Sequence, residues 1–358
     1  MNHLTEIIKN AIKEKGPLTI RKYMETCLHH EKYGYYMTRN PIGKHGDFIT
    51  APEISPIFGE LIGVWLVHTW KALGEPSEFN LVELGPGNGT LLKDIWIATA
   101  NWPKFQKSAD IYLYEKSVVL QKAQSNNLKN IDIKWVENLE ELPDKKMICF
   151  SNEFFDALPI RQFMFMNQSL FEKKISLDSQ NEFQFEFFKV QESFDAKPEK
   201  NKLIESAIIE YSETQIFILK SLCEKVKKMQ GCILIIDYGG EYGMVDTLQG
   251  IWKNKYCDVL SRPGEVDLTS QVDFGIIADH AKSFGVQPSM LVNQSVFLKK
   301  MGILERYSML NQYTDDDVSH NNRKILHRLL SDDQMGSLFK VLAIKPFDSI
   351  DIYPFSFE

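Results

Sequence analysis

Two short stretches of this chain combine residue types at spacings suited to chemistry. The first, Phe79-Asn80-Leu81-Val82-Glu83-Leu84-Gly85-Pro86-Gly87-Asn88-Gly89-Thr90, is an apolar strand that ends in an acid and runs into a G-x-G-x-G turn before a helical pattern. Glycines there let the backbone approach a ligand where a Cβ would collide, and the following helix presents unpaired N–H groups at its start. This is the pattern of a nucleotide-type cofactor site, with Glu83, Gly85, Pro86, Gly87 and Gly89 as candidate contacts. The second stretch, Ser151-Asn152-Glu153-Phe154-Phe155-Asp156-Ala157-Leu158-Pro159, follows the apolar run Met147-Ile148-Cys149-Phe150. Asn152, Glu153 and Asp156 are suited to hold a cationic or hydrogen-bonding acceptor, and Phe154 and Phe155 to shield a reacting centre from water. A turn role for Asp156 and a core role for the phenylalanines remain open on these residues alone.

Elements around these stretches must bring them together. Strands expected at 80–84, 110–115, 131–135, 146–150 and 232–237 alternate with helical patterns, which implies an α/β fold with a parallel sheet. Ligands bind outside the carboxyl ends of such strands, so the second loop falls beside the glycine loop, and Asp237 ends a strand facing the same cleft. The Phe-rich stretch from Ile160 to Val190 breaks the rhythm and reads as an inserted antiparallel lobe, at about 160–200. A crossover helix is expected from Lys202 to Lys228, another from near Thr269, and a last strand over Leu338–Ile344. Residues 1–75 read as a helical cap, with patterns over Leu18–Leu28 and Pro52–Leu73, and 76–358 as the main domain. Thr50 and Glu53 form a T-x-x-E capping box for the second helix. The Gly-rich loop Ile42–Thr50 is placed over the cofactor, making Thr50 and Pro52 candidate cofactor contacts and Asp47 a candidate acceptor contact; the cap explains Glu53.

Composition narrows the classes. A formal charge of −7 argues against a general nucleic-acid binder. The five cysteines show no C-x-x-C pair and the histidines no metal-ligand spacing, so no metal is expected; His45 alone lies in the suspected active-site loop. The start, with acids inside an amphipathic pattern, is unlike an export or transit segment, and no run of 18 apolar residues occurs. The expectation is a cytoplasmic protein without a membrane span.

A dinucleotide fingerprint wants G-x-G-x-x-G, and Asn88-Gly89 does not provide it, which argues against an NAD-type oxidoreductase. The loop instead resembles the first motif of class I S-adenosylmethionine methyltransferases. By that resemblance Glu115, ending Ile111-Tyr112-Leu113-Tyr114-Glu115, binds the ribose hydroxyls. Gly46-Asp47-Phe48-Ile49-Thr50-Ala51-Pro52-Glu53-Ile54-Ser55, the glycine loop and Asn152–Pro159 are similar to the MidA family, with Pro263–Thr269 and Leu338–Ile344 matching later motifs in order. The resemblance implies a Rossmann-like, seven-stranded, mostly parallel sheet with an N-terminal helical extension, S-adenosyl-L-methionine as donor, and a protein arginine, on a respiratory complex I subunit, as acceptor. On this view Glu153 binds the guanidinium, with Asp156 and Asn152 as partners and Phe154, Phe155, Asp47, Asp237 and Glu265 around the acceptor. Glu265 and Asp267 follow a Pro-Gly turn and otherwise read as turn and cap residues. Asn88 departs from the basic residue usual in the family. A small-molecule methyltransferase, or a non-catalytic assembly factor that keeps the pocket, remain as other readings.

Overall fold

Phe79–Leu84 is buried at every position, and Met147–Asn152 likewise, so both faces of the sheet they form must be covered. The computed structural model describes residues 3–43, 46–190, 204–312, 316–347 and 349–357. Its main sheet runs, in spatial order, Val286–Pro288, Phe339–Pro346, Gly231–Gly240, Met147–Asn152, Phe79–Leu84, Ala109–Tyr114 and Ile133–Val136. The last five are mutually parallel, and Phe339–Pro346 is antiparallel to both its neighbours. Two short strands, Val272–Asp273 and Val292–Asn293, pair at the sheet's side. The chain leaves Phe79–Leu84 toward Ala109–Tyr114 and returns on its other side as Met147–Asn152. That reversal places the glycine loop and the Asn152–Pro159 loop at one crevice.

Side-chain alternation feeds two cores. Leu81, Ile148, Phe150, Leu234 and Ile236 pack on one face with helix Pro56–Ala72. Val82, Leu84, Cys149, Ile233 and Ile235 pack on the other with helices Glu213–Met229 and Phe274–Ser283. A third core joins helices His3–Lys15 and Ile20–His29 to Ile160 and Ile175 of the inserted lobe. The first 75 residues thus do not pack as one cap: Pro56–Ala72 belongs under the main sheet, while the earlier helices belong with the lobe.

That lobe is an antiparallel sheet of Leu18–Thr19, Ser169–Leu177, Arg161–Met166 and Ile208–Tyr211, with Phe183–Lys189 on Ser169–Leu177. It carries the expected insertion on to Tyr211 and takes in Leu18–Thr19 from the N-terminal segment. The helix expected from Lys202 begins at Glu213, because Ile208–Tyr211 is taken into the lobe sheet; Lys202 lies outside the described residues. The helix expected near Thr269 begins at Phe274, where the Asp273 carboxylate accepts from Ile276 N; Asp267–Thr269 is a strand in a small sheet with Gln249–Trp252 and Lys255–Cys257.

The capping-box reading of Thr50 and Glu53 also gives way. The helix breaks at Ser55, whose hydroxyl accepts from Ile57 N, and Pro56 opens Pro56–Ala72. The short turn Ala51–Ile54 has Thr50 at its start without a side-chain cap bond, which leaves both Thr50 and Glu53 for other work. Replacing fully buried Leu234 on the strand Gly231–Gly240, Leu234→Ala, is expected to cost about 2–5 kcal/mol, read from the shift in urea midpoint at unchanged slope.

Candidate active site

A cavity of about 290 Å³ opens at the strand ends. Its wall contains Thr50, Pro52, Glu83, Gly85, Pro86, Gly87, Glu115, Asn152, Glu153 and Phe154 from the residues expected by sequence. Gly89, Asp47, Phe155, Asp156, Asp237 and Glu265 do not line it.

The glycine loop is held from three sides. Gly85 N donates to Tyr114 O of the neighbouring strand (3.1 Å), and Gly89 N to Pro86 O (2.7 Å) closes the turn. At Gly87 φ is +54°, a left-handed conformation that favours glycine, and a Cβ would also displace the end of the Ile42 side chain, whose Cδ1 would lie 2.8 Å away. Asn88 supplies the third tie: its Nδ2 donates to Ile42 O and Glu53 Oε1, both at 3.3 Å, and its Oδ1 accepts from Asn40 Nδ2 (2.6 Å). Glu53, which sequence patterning assigned to a cap, instead accepts from Thr90 Oγ1 (2.6 Å) at the start of helix Thr90–Ala98 and lines the cavity. Gln124, buried and not foreseen, donates to Gly87 O (2.8 Å) and to Glu115 Oε2 (3.2 Å), coupling the glycine loop to the acid after the next strand.

Glu115 also accepts from Ser117 N (2.8 Å), yet burial pushes its carboxyl up to about 7. Glu83 is more exposed to this effect. It is 3% exposed, its Oε2 has no partner, and burial alone raises it to about 8.

Beside the glycine loop, Glu153 adopts φ +54°, a left-handed conformation rare outside glycine, directly after the buried strand Met147–Asn152. Its N donates to Ile236 O (3.0 Å), and its Oε1 accepts from Ala51 N (3.2 Å) and Asn152 Nδ2 (3.0 Å). Burial lifts this carboxyl to about 7 against those bonds.

Several expected contacts have other roles. Asp237 does not face the cavity: its Oδ2 accepts from the N–H groups of Phe154 (3.1 Å), Phe155 (2.9 Å) and Asp156 (3.3 Å), and its Oδ1 from Tyr238 N. It shapes the Asn152–Pro159 loop from behind. Phe155 is fully buried in the sheet's core, whereas Phe154 stays at the cavity, edge-on to Tyr114 at 5.9 Å. Asp47 is tied up by Tyr35 Oη (3.0 Å) and Lys253 N (2.9 Å). Glu265 pairs with Arg262 at 3.5 Å, away from the cavity wall; two residues on, buried Asp267 accepts from Tyr36 Oη (2.8 Å), and Tyr36 lines the cavity. Asp156 lies just behind, raised by burial and by the charges of Asp237, Glu153 and Asp267, with Oδ1 unpartnered. His45 lies outside the described residues.

The fold and this crevice define a class I methyltransferase architecture: a seven-strand path with its one antiparallel strand inserted next to the edge, and a glycine loop at the switch point. The family model described as "Putative S-adenosyl-L-methionine-dependent methyltransferase" matches residues 61–292, and the chain belongs to that family. Its donor is S-adenosyl-L-methionine. Over 97% of its length the chain is 33% identical to "Protein arginine methyltransferase NDUFAF7, mitochondrial" of Xenopus laevis, covering 84% of that protein. It is 31% identical over 96% to the Homo sapiens protein of the same name, also covering 84%. A Burkholderia thailandensis structure bound to S-adenosyl-homocysteine superposes with a TM-score of 0.82 at 21% identity, covering 99% of this chain and 95% of that one, and shows the same fold. The expected cytoplasmic placement is corrected by these relatives, which are named as mitochondrial from frog to fly and human. No described helix is long and apolar enough to cross a membrane.

The residues present fit the donor. Glu83 Oε2 lacks a donor beside a loop whose glycines at 85, 87 and 89 all have positive φ, and an acid stands after the second strand. Gly87→Ala is therefore expected to lower S-adenosyl-homocysteine affinity at least about tenfold by calorimetry with the circular-dichroism spectrum unchanged, a loss of about 1.4 kcal/mol or more. The raised carboxyls carry a second consequence. With Glu83 near 8 and Glu115 and Glu153 near 7, the donor-free folded protein holds protons that the unfolded chain has released above the ordinary carboxylate range. Their stabilisation is present at low pH and is lost as pH rises through 7–8. His29, lowered to about 4 by burial and then by Lys116, adds nothing above its ordinary value. Calorimetric melting of donor-free protein is expected to occur at lower temperature at pH 8.5 than at pH 6.5.

Proposed function

We propose that the acceptor is an arginine of a protein, held at the cavity by Glu153, and that the acceptor protein is a subunit of respiratory complex I. The carrying observation is that the acceptor end offers oxygens without donors. Asn152 Oδ1, on the cavity wall, and Asp156 Oδ1, just behind it, are buried and unpartnered beside a Glu153 held in a left-handed backbone conformation. Such a wall favours a ligand rich in N–H groups and positive charge. A guanidinium is planar, permanently charged and bidentate toward carboxylates. The relatives' names as protein arginine methyltransferases support the same reading.

In this reading, Glu83 and the Gly85–Gly89 backbone hold the amino-acid part of the donor, Glu115 its ribose, and Thr50 and Pro52 close it from the N-terminal side. When bound, S-adenosylmethionine supplies an electrophilic methyl on a sulfonium. Orientation then dominates, with effective-molarity gains of roughly 7–11 kcal/mol for well-placed reactants. Glu153 binds the guanidinium and favours charge on the nitrogen that does not react. Asn152 Nδ2 and Ala51 N fix the Glu153 carboxylate, and Phe154 and Tyr114 exclude water.

The test is transfer of labelled methyl into an extract of cells lacking this protein, followed by amino-acid analysis. Methylarginine is expected from the wild type, and Glu153→Ala is expected to lower it at least about 10²-fold while S-adenosyl-homocysteine affinity stays within about twofold. Because the Glu153 carboxyl must be ionised to hold the guanidinium, the rate is expected to fall as pH drops below about 7. Label recovered only in small molecules overturns the arginine reading.

A further inference from the structure

We propose that Tyr36 and Asp267 form the proton exit of the reaction, with the Tyr36 hydroxyl oxygen accepting from the reacting nitrogen and Asp267 receiving the proton. The inference rests on the arginine reading above. Neither residue was singled out for chemistry by spacing, since Tyr36 lies in an N-terminal aromatic run and Asp267 after a Pro-Gly turn.

An arginine acceptor cannot finish its reaction without losing a proton. A guanidinium nitrogen that forms a bond to the methyl carbon begins and ends on a cation, so one N–H proton must leave as the sulfonium is discharged. Glu153, the carboxylate that orients the guanidinium, stabilises the positive charge and so opposes that loss. A separate acceptor is needed, and it must reach the cavity.

Tyr36 reaches it. Its backbone carbonyl is fixed by Ser117 Oγ at the Glu115 side of the cavity, and its ring stacks on His29 with centroids 5.9 Å apart. The hydroxyl extends to Asp267 Oδ1 at 2.8 Å. Asp267 is 3% exposed on the strand Asp267–Thr269, and its burial raises it to about 7, the range of a competent base. The groups that face it are Tyr35, Tyr36, Arg39, Asp47, Glu153 and Asp156. Beyond burial, the Tyr36 hydrogen bond lowers its proton affinity, Asp47 raises it and Arg39 lowers it.

The step balances within the residues present. The nitrogen–carbon bond forms, the sulfur–carbon bond breaks and its electron pair stays on sulfur. The N–H proton passes to the Tyr36 oxygen as the Tyr36 O–H proton passes to Asp267, which leaves the site as a carboxylic acid that solvent later deprotonates. Tyr36 is regenerated each turn.

The experiment compares wild type, Tyr36→Phe and Asp267→Asn on protein extracts from cells lacking this enzyme, grown with arginine or with canavanine in its place. Canavanine's guanidinooxy group is largely neutral at pH 8 and needs no base before attack. Initial rates are read at saturating S-adenosylmethionine, with S-adenosyl-homocysteine affinity as the check on the pocket. Each variant is expected to lose about 10²-fold in rate on arginine proteins, to lose at most a few-fold on canavanine proteins, and to keep donor affinity. Equal losses on both extracts mean that the pair only shapes the site and overturn the relay. Undiminished arginine methylation by Tyr36→Phe overturns it as well. A wild type that methylates neither extract overturns the arginine reading and the relay with it, an outcome distinct from a working wild type with unaffected variants.

Discussion

A single buried carboxylate sets the Glu153 side of the cavity. Asp237, inside the strand Gly231–Gly240 and just past its pairing with Met147–Asn152, gathers the N–H groups of Phe154, Phe155 and Asp156 onto one oxygen. Those groups have no strand partner left once the chain turns out of the sheet, and a buried N–H without an acceptor is costly. Asp237 resolves that problem and in doing so turns the chain sharply enough to hold Glu153 in a left-handed conformation. The orientation of Glu153, the burial of Phe155 and the exposure of Phe154 all follow from that turn. Asp237 is a positioning residue, although the sequence pattern placed it at a strand end facing the cleft.

The second constraint is electrostatic. Glu83, Glu115, Glu153, Asp156, Asp237 and Asp267 are all pushed up, with burial the largest cause in every case. So many carboxyls cannot all be ionised side by side without a counter-charge. The sulfonium of the donor brings a positive charge to the carboxyls that line the cavity, and the site gains from it. The donor-free protein instead keeps protons on the wall, which links binding, proton release and stability in one equilibrium.

Much of this was legible before any coordinates. The G-x-G-x-G turn after a buried strand, the alternation of strands and helices, and the Asn152–Pro159 loop after Met147–Asn152 identify a class I architecture and its crevice. The lobe was visible as a Phe-rich break in rhythm. Its last strand, Ile208–Tyr211, was not, because a four-residue apolar run ahead of a long amphipathic pattern reads as the start of that helix. The Thr50–Glu53 box misled for a related reason: a local motif satisfies a local rule, while Ser55 and Pro56 restart the helix and free Glu53 for Thr90 and Asn88, far along the chain.

The sequence by itself determined the sheet, the glycine turn and the family, because strand burial, helix periodicity and glycine's conformational range are properties of neighbouring residues. Only the tertiary structure decided which polar groups meet. Gln124 joins Gly87 to Glu115, Asn88 joins the glycine loop to Ile42, and Tyr36 meets Asp267 across 231 positions. The same packing withdrew Asp237, Phe155 and Glu265 from the cavity. Hydrogen-bond partners separated by such distances are selected by how three cores pack against one another, and local residue types do not encode that choice.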